Sequence, residues 1–362
     1  MKILLLSNMY PSKKYPHYGV FVENTEKVLG RLPDVKISKA VLRKRDSKLG
    51  KLFGYMVFYA KILAMGIFGN YDVIYGHFIS HLCLPLCLVR KFNRKARLVL
   101  NAHGNDVVAD SDRDERFVEL SRKLIPLADD IIVPSAYFKQ VMVRDFSVAE
   151  EKLLVYPSGG VNTQVFCSRG TEGLKEKYQL DPGKKYIGYI SRIEVDKGWD
   201  TFLKAIAALA DREDLGFLVV GGGEEAEQFD RLAKQLGVAD RLIRFPLLSQ
   251  AQIAELYNIL DVFCFPTRRK SESLGLVGLE AIACGCVTVA SDAGGPSSYM
   301  RDGVNGFVFD RNSATQLTEK LLQALSLTEQ QLAALREGME ATRQQYSREN
   351  ADKILLDFFM AL

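Results

Sequence analysis

Two glutamates eight residues apart mark the stretch best equipped for chemistry: Glu272-Ser273-Leu274-Gly275-Leu276-Val277-Gly278-Leu279-Glu280-Ala281. An apolar run, Asp261-Val262-Phe263-Cys264-Phe265-Pro266, precedes it, and Cys286-Val287-Thr288-Val289-Ala290 follows; both read as strands. The segment between them reads as a tight turn opening a helix. The first N–H groups of a helix lack internal partners and lie at the positive end of its dipole, so the amides near Leu276 and Val277 suit a phosphate. Gly275 and Gly278 let a ligand approach the backbone closely. Side chains tilt back toward a helix N-terminus, so Glu280, one turn inside, sets a carboxylate beside that phosphate and within reach of sugar hydroxyls. Glu272, ahead of the helix, is free to face the other end of the same ligand.

A second constellation is Ser191-Arg192-Ile193-Glu194-Val195-Asp196-Lys197-Gly198, at the C-terminal end of an apolar run. Arg192 and Lys197 can neutralise a diphosphate there, one as a planar fork and the other as a point charge. A third is Asn101-Ala102-His103-Gly104-Asn105-Asp106, which again ends a strand-like run; the chain has only four histidines. A histidine so placed can hydrogen-bond a hydroxyl or phosphate without a metal. Asp106 either holds this loop or faces a second substrate, and His17 and His77 are as readily structural as acceptor-facing. Gly221-Gly222-Gly223 looks like a dinucleotide turn but fails the Gly-x-Gly-x-x-Gly spacing, with Ala226 in the last place, which argues against NAD.

Positioning these groups requires a scaffold of buried strands. The first half alternates helical stretches with strand candidates at Ile3–Leu6, Val35–Val41, Asp72–Tyr75, Ala96–Asn101, Asp130–Pro134 and Lys152–Tyr156. The second repeats the plan at Tyr186–Ser191, Phe217–Gly221, Leu242–Phe245, Asp261–Phe265, Val287–Ser291 and Gly306–Phe309, with helical spacing over Asp200–Leu209 and Glu225–Leu236. Nearly continuous β-branched runs alternating with helices imply parallel sheets joined by right-handed crossovers. The fold expected is α/β, with two Rossmann-like doubly wound domains facing across a cleft beyond the strand C-termini. The Gly- and Ser-rich turn around Ser158-Gly159-Gly160 places the join, giving domains of residues 1–162 and 163–345.

Composition narrows the field further. At 362 residues, 48% hydrophobic and 25% charged, with net charge +4 and pI about 8.6, the chain is an ordinary globular protein without a basic nucleic-acid-binding tail. Six cysteines contain no Cys-x-x-Cys pair, which argues against zinc and for free thiols in a reducing cytoplasm. The opening run, Ile3–Leu6, is too short for a signal peptide and reads as a buried strand.

The Glu272/Glu280 stretch, with its glycines and flanking strands, resembles the Glu-x7-Glu signature of GT4-family retaining glycosyltransferases. The resemblance is strong over residues 185–310 and looser before them. It implies the GT-B architecture and a hexosyltransferase-type enzyme (EC 2.4), with a last helix at 346–362 returning to the first domain. It also implies transfer of a sugar from a UDP- or GDP-linked donor to a glycan or lipid-linked acceptor, with no metal and no further cofactor. The family's favoured route is a front-face, ion-pair-like substitution in which the leaving phosphate helps deprotonate the acceptor.

By the same resemblance Glu272 holds donor-sugar hydroxyls, Glu280 the ribose hydroxyls, and His103 the far side of the sugar. Arg192, Lys197 and the Leu276 and Val277 amides take the phosphates beside Gly275. Leu247 reads the base edge through its backbone, and Gly19 approaches the donor phosphate. The chain departs from the family pattern at several points. Ser191 replaces a usual glycine, and Tyr18-Gly19 replaces a Gly-Gly pair. Leu274 stands where an aromatic is frequent, and Thr267–Ser271 is longer and more basic than usual. A nucleotide-sugar epimerase on the same scaffold, or a non-catalytic GT-B subunit, are the rival readings.

The segment Leu52–Gly69 is apolar apart from Lys61 and is preceded by Arg43, Lys44, Arg45, Lys48 and Lys51. A second basic cluster, Arg90, Lys91, Arg94, Lys95 and Arg97, follows another apolar helix candidate. Peripheral contact with an anionic membrane and a core helix with a basic solvated rim both account for this pattern. The expected location is therefore cytoplasmic, with the inner membrane face as the open alternative, and the expected role is in bacterial surface polysaccharide or glycolipid biosynthesis.

Overall fold

The computed structural model describes residues 1–362, which divide into two compact units. Unit 1 comprises Met1–Gly159 and Ala351–Leu362; unit 2 comprises Gly160–Asn350. The sequence reading set the corresponding limits at 162 and 346.

In unit 1, six parallel strands, β1 (Lys2–Tyr10), β2 (Lys36–Arg43), β3 (Val73–His77), β4 (Arg97–Asn101), β5 (Asp130–Val133) and β6 (Leu153–Val155), run in the order β2-β1-β3-β4-β5-β6. Between them lie α1 (Val20–Leu29), α2 (Lys48–Phe68), α3 (Ile79–Phe92), α4 (Asp112–Leu124) and α5 (Ala136–Phe146). The two-residue period of a strand splits the core in two. Leu4, Leu6, Ile74, Leu98 and Leu100 face α2, α3 and α5. Ile3, Leu5, Val73, Tyr75 and Val99 face α1 and a helix that ends the chain, Arg348–Met360, whose Ala351, Leu355 and Phe359 are buried there. Phe359 meets Tyr75 edge-on, with ring centres 5.1 Å apart.

Unit 2 has β7 (Lys185–Ile190), β8 (Leu215–Val220), β9 (Leu242–Phe245), β10 (Val262–Phe265), β11 (Val287–Ser291) and β12 (Phe307–Phe309) in the parallel order β12-β11-β10-β7-β8-β9. Its helices are α6 (Leu174–Lys177), α7 (Trp199–Ala207), α8 (Ala226–Gln235), α9 (Gln250–Ile259), α10 (Leu276–Ala283), α11 (Ala314–Leu325) and α12 (Glu329–Gln345); the chain-ending helix is α13. A single core fills this unit, with Tyr186, Tyr189, Phe217, Phe263 and Phe265 among its fully buried rings.

Every strand the sequence predicted forms, and all pairings are parallel. The largest boundary difference is at β1, expected to stop at Leu6 but continuing to Tyr10. Ser7 and Asn8 end the apolar run, yet pairing with β2 persists, with a register shift between Ser7 and Tyr10. The polar residues extend the strand because the partner backbone still needs hydrogen bonds.

Candidate active site

Each sheet reverses its winding once, and loops diverge at such a point to leave room for a ligand. In unit 2 the reversal lies between β7 and β10. The loop after β7 carries Arg192 and Lys197; the loop after β10 carries Glu272. Lys197 Nζ lies 2.7 Å from Glu272 Oε2, with side-chain exposures of only 11% and 15%. The Thr267 hydroxyl also donates to Glu272 Oε2, at 3.4 Å. A largely desolvated ion pair of this kind holds its geometry firmly and is costly to break from one side. The ammonium has three donors, so Lys197 can keep Glu272 and still face an anion.

Arg192 is placed differently. It is 63% exposed and pairs with Glu194 at 2.7 Å rather than joining Lys197 and Glu272. The basic insertion has an internal function: Arg268 binds Asp200 through Nη1 at 2.7 Å, and its main-chain N–H donates to the Asp196 carbonyl at 2.8 Å. It thereby ties the exit of β10 to the loop after β7. Leu247, just beyond β9, is 85% exposed.

Gly275 caps α10 in the left-handed region at φ 76. A Cβ there would lie 2.7 Å from Phe265 and 2.9 Å from Pro296. The residue is glycine because the turn packs tightly on its own core, whereas the sequence reading stressed ligand approach. The Tyr299 hydroxyl donates to the Gly275 carbonyl at 2.9 Å and pins the helix start. Leu276 and Val277 follow as the first two helical residues, so their N–H groups have no partner within α10. Glu280, half-buried one turn on, has its carboxyl pushed up to about 7 by burial. It is therefore poised between its neutral and ionised forms near neutrality.

Unit 1 reverses between β1 and β3. Gly19, at φ 76, caps α1, and a Cβ there would lie 2.6 Å from the Met9 carbonyl carbon. The close approach it permits is of α1 to the end of β1. Two residues on, the Phe21 ring sits 4.9 Å from the His103 ring. His77 is the last residue of β3 and His103 lies two residues beyond β4, with His103 Nε2 and His77 Nδ1 3.0 Å apart. Burial pulls the His103 imidazole down to about 3 and the His77 imidazole well below its usual range, so both are neutral. Asp106, buried at 1% exposure, accepts from the main-chain N–H groups of His103 and Gly104, each at 2.9 Å, and of Ile79 at 3.1 Å. Of the two roles open for Asp106, the structure thus shows the loop-holding one. His17 is exposed on the loop before α1.

The sequence reading names His77 as structural or acceptor-facing but not as the partner of His103, and it misses two further contributors. Tyr299 and Thr267 support the Glu272 turn. Close by, the Glu272 carbonyl accepts from Gly295 N–H at 2.7 Å, a contact whose legible signal was Gly294-Gly295-Pro296 at the end of β11.

Two doubly wound parallel units in one chain, each with a single reversal of its sheet, define the GT-B class of fold. Sucrose-phosphate synthase from Thermosynechococcus elongatus superposes with a TM-score of 0.80 at 17% identity, covering 100% of this chain and 98% of that one. Anabaena HepE in complex with UDP-glucose gives 0.77 at 18% identity, covering 100% of both chains.

The family description Glycosyltransferase Family 4 matches residues 17–165, and Glycosyl transferases group 1 matches residues 171–340. The chain belongs to the GT4 glycosyltransferases. D-inositol 3-phosphate glycosyltransferase of Mycolicibacterium smegmatis is 28% identical over 270 residues, 71% of this chain and 60% of the relative. Its counterpart from Segniliparus rotundus is 27% identical over 270 residues, 73% of this chain and 60% of the relative. The chain thus spans about 60% of the length of these curated relatives.

Proposed function

We propose that this protein transfers a sugar, with retention of anomeric configuration, from a UDP- or GDP-linked donor to a glycan or lipid-linked acceptor. The observation that carries the reading is the Lys197–Glu272 pair at the β7/β10 reversal, beside the start of α10. It combines a cation for the diphosphate with a carboxylate for sugar hydroxyls. The HepE structures bound to UDP and UDP-glucose support a nucleotide-sugar donor.

In this reading the acceptor oxygen forms its bond to the anomeric carbon while the bond from that carbon to the phosphate oxygen breaks. The acceptor proton passes to the leaving phosphate. Lys197, Arg192 and the Leu276 and Val277 amides carry the charge that develops on it. Arg192 exchanges Glu194 for phosphate. Glu272 holds donor-sugar hydroxyls, Glu280 the ribose diol, Leu247 the base edge, and His103 a donor-sugar hydroxyl. The diphosphate charge is met by side chains and amides, with no metal required.

The acceptor is proposed to be membrane-borne and the protein peripheral on the cytoplasmic face, in surface polysaccharide or glycolipid assembly. Support comes from α2, 21 residues long and apolar enough to cross a membrane by length and composition. Its Gly54, Phe58, Ile62 and Gly66 are buried in unit 1. The opposite face exposes Leu49, Leu52, Phe53, Met56 and Phe68, at 80, 61, 62, 55 and 86%. Neither α2 nor α3 contains an acidic residue; exposed lysines and arginines stand at the start of α2 and at the end of α3. An apolar stripe with a basic cluster at one end matches an anionic bilayer lying along the helix.

Two measurements test the proposal. Nucleotide diphosphate release is followed for UDP- and GDP-sugars, with and without lipid-linked and glycan acceptors. Acceptor-dependent release with a product that keeps the donor's anomeric configuration supports the reading, and absence of release and of any thermal shift with every donor overturns it. Flotation with anionic and zwitterionic vesicles tests the membrane part. Binding only to anionic vesicles, abolished by Leu52→Ser with Phe53→Ser, supports it; a soluble dimer through the same face overturns it.

A further inference from the structure

His77 and His103 share one proton, and its position can be deduced. Their rings are nearly coplanar, 26° apart, with centroids 5.2 Å apart but facing nitrogens only 3.0 Å apart. The contact is edge to edge, so it is a hydrogen bond and not a stack. One ring donates and the other accepts.

The far nitrogen of His77 decides which. His77 is 1% exposed, and its Nε2 is buried without a partner. If His77 accepted at Nδ1, a neutral ring would carry its proton on Nε2, leaving an N–H sealed in the core. If His77 donates from Nδ1, Nε2 is a bare lone pair. Orphaned buried N–H groups are rarer than under-used acceptors, so the second arrangement is favoured.

The other edge of His103 is open. Its Nδ1 has no protein partner and is not among the sealed polar atoms, and Asp106 is occupied with main-chain amides. Phe78, held at φ 62, and Phe21 flank the His103 ring, with centroids at 4.4 and 4.9 Å, and fix its tilt.

We infer that His77 is a positioning residue: it donates from Nδ1 to His103 Nε2 and so locks His103 as the Nδ1–H tautomer, a hydrogen-bond donor to a ligand oxygen. Neutral histidine in water favours the Nε2–H form, so the pair selects the minority species. His103 then meets a hydroxyl or phosphate oxygen and is not a base at that edge. That the oxygen belongs to the donor sugar rests on the proposed function; the tautomer does not.

The test is a long-range proton–nitrogen correlation spectrum of the whole chain labelled with 15N-histidine. With four histidines, single substitutions assign every signal. Expected is a protonated Nδ1 and an unprotonated, hydrogen-bond-accepting Nε2 for His103, and a protonated Nδ1 for His77. A protonated Nε2 on His103 overturns the inference.

Two variants add a kinetic readout. His77→Asn retains an N–H donor near the Nδ1 position and should preserve the His103 tautomer and the donor KM. His77→Asp offers only an acceptor, should move the His103 proton to Nε2, and should raise donor KM by about tenfold, the scale of one hydrogen bond. The predicted spectra with unchanged KM in both variants leave the tautomer standing and remove His103 from the donor site. Matching spectra in the two variants, with His103 still Nδ1–H beside Asp, overturn the role of His77.

Discussion

The loops at the two sheet reversals solve opposite problems with similar backbones. In unit 2 the nearest groups are a lysine and a carboxylate in an ion pair, and a second carboxyl close to neutrality in its titration. In unit 1 they are two neutral imidazoles among aromatic rings. In the proposed reading the ionisable groups of unit 2 meet the diphosphate and the carboxylate-bound hydroxyls, while the imidazoles of unit 1 offer an uncharged donor. Fold alone therefore does not assign chemistry; the residues at the strand ends do.

The contrast is broken most severely at Lys197. Lys197→Ala should lower kcat/KM for nucleotide release by about 10²–10³-fold, the scale of losing one preorganised donor to developing charge. It should also lower the melting temperature, because Glu272 is left desolvated and unpaired. A loss below tenfold in a folded variant would end the asymmetry.

Next comes His103→Ala, expected to cost about tenfold through a lost neutral hydrogen bond. Its distinguishing mark is pH: with the imidazole held down to about 3, wild type and variant should keep a constant activity ratio between pH 5 and 8. A ratio that changes over that range would mean the histidine carries charge.

Glu280 should supply the pH dependence that unit 1 lacks. If, as proposed, ribose hydroxyls donate to the carboxylate, nucleotide affinity should rise by up to about tenfold from pH 6 to 8, and Glu280→Gln should flatten the curve. Stability runs the other way. The folded-state value of about 7 exceeds the ordinary 4.5, so the folded protein holds this proton longer than the unfolded chain. Its contribution therefore falls as pH rises from about 4.5 to about 7. Urea titrations of wild type and Glu280→Gln at pH 5 and 8 measure that difference.

The smallest effect is expected at Tyr299→Phe. Losing its hydrogen bond to Gly275 should cost about 1 kcal/mol of stability, read as a modest fall in melting temperature, with donor KM changed less than by Lys197→Ala.

The unequal legibility of the two regions has a physical basis. Strand positions were readable because parallel strands buried on both faces leave continuous apolar runs, as at Val287–Ser291. The Glu272 turn was readable because its glycines, glutamates and flanking strands lie within one short stretch. What remained hidden was contact between residues far apart in sequence. His77 and His103 are separated by 26 positions, and neither position alone says that their nitrogens meet. The same holds for Lys197 with Glu272 and for Arg268 with Asp200, whose pairing depends on the β7/β10 adjacency. Glycine signals were correctly located, but at Gly19 and Gly275 the space a side chain would need is occupied by the protein itself.

The return of α13 constrains how the protein is made. Tyr75, Tyr156 and Val99 share a core with Ala351, Leu355 and Phe359, while the whole of Gly160–Asn350 is translated in between. During synthesis the later-coded unit therefore has all its residues before the earlier one does, inverting the usual N-terminal-first order. A ribosome pausing near codon 350 would display an apolar sheet face covered by α1 alone, with the places of Ala351, Leu355 and Phe359 still open.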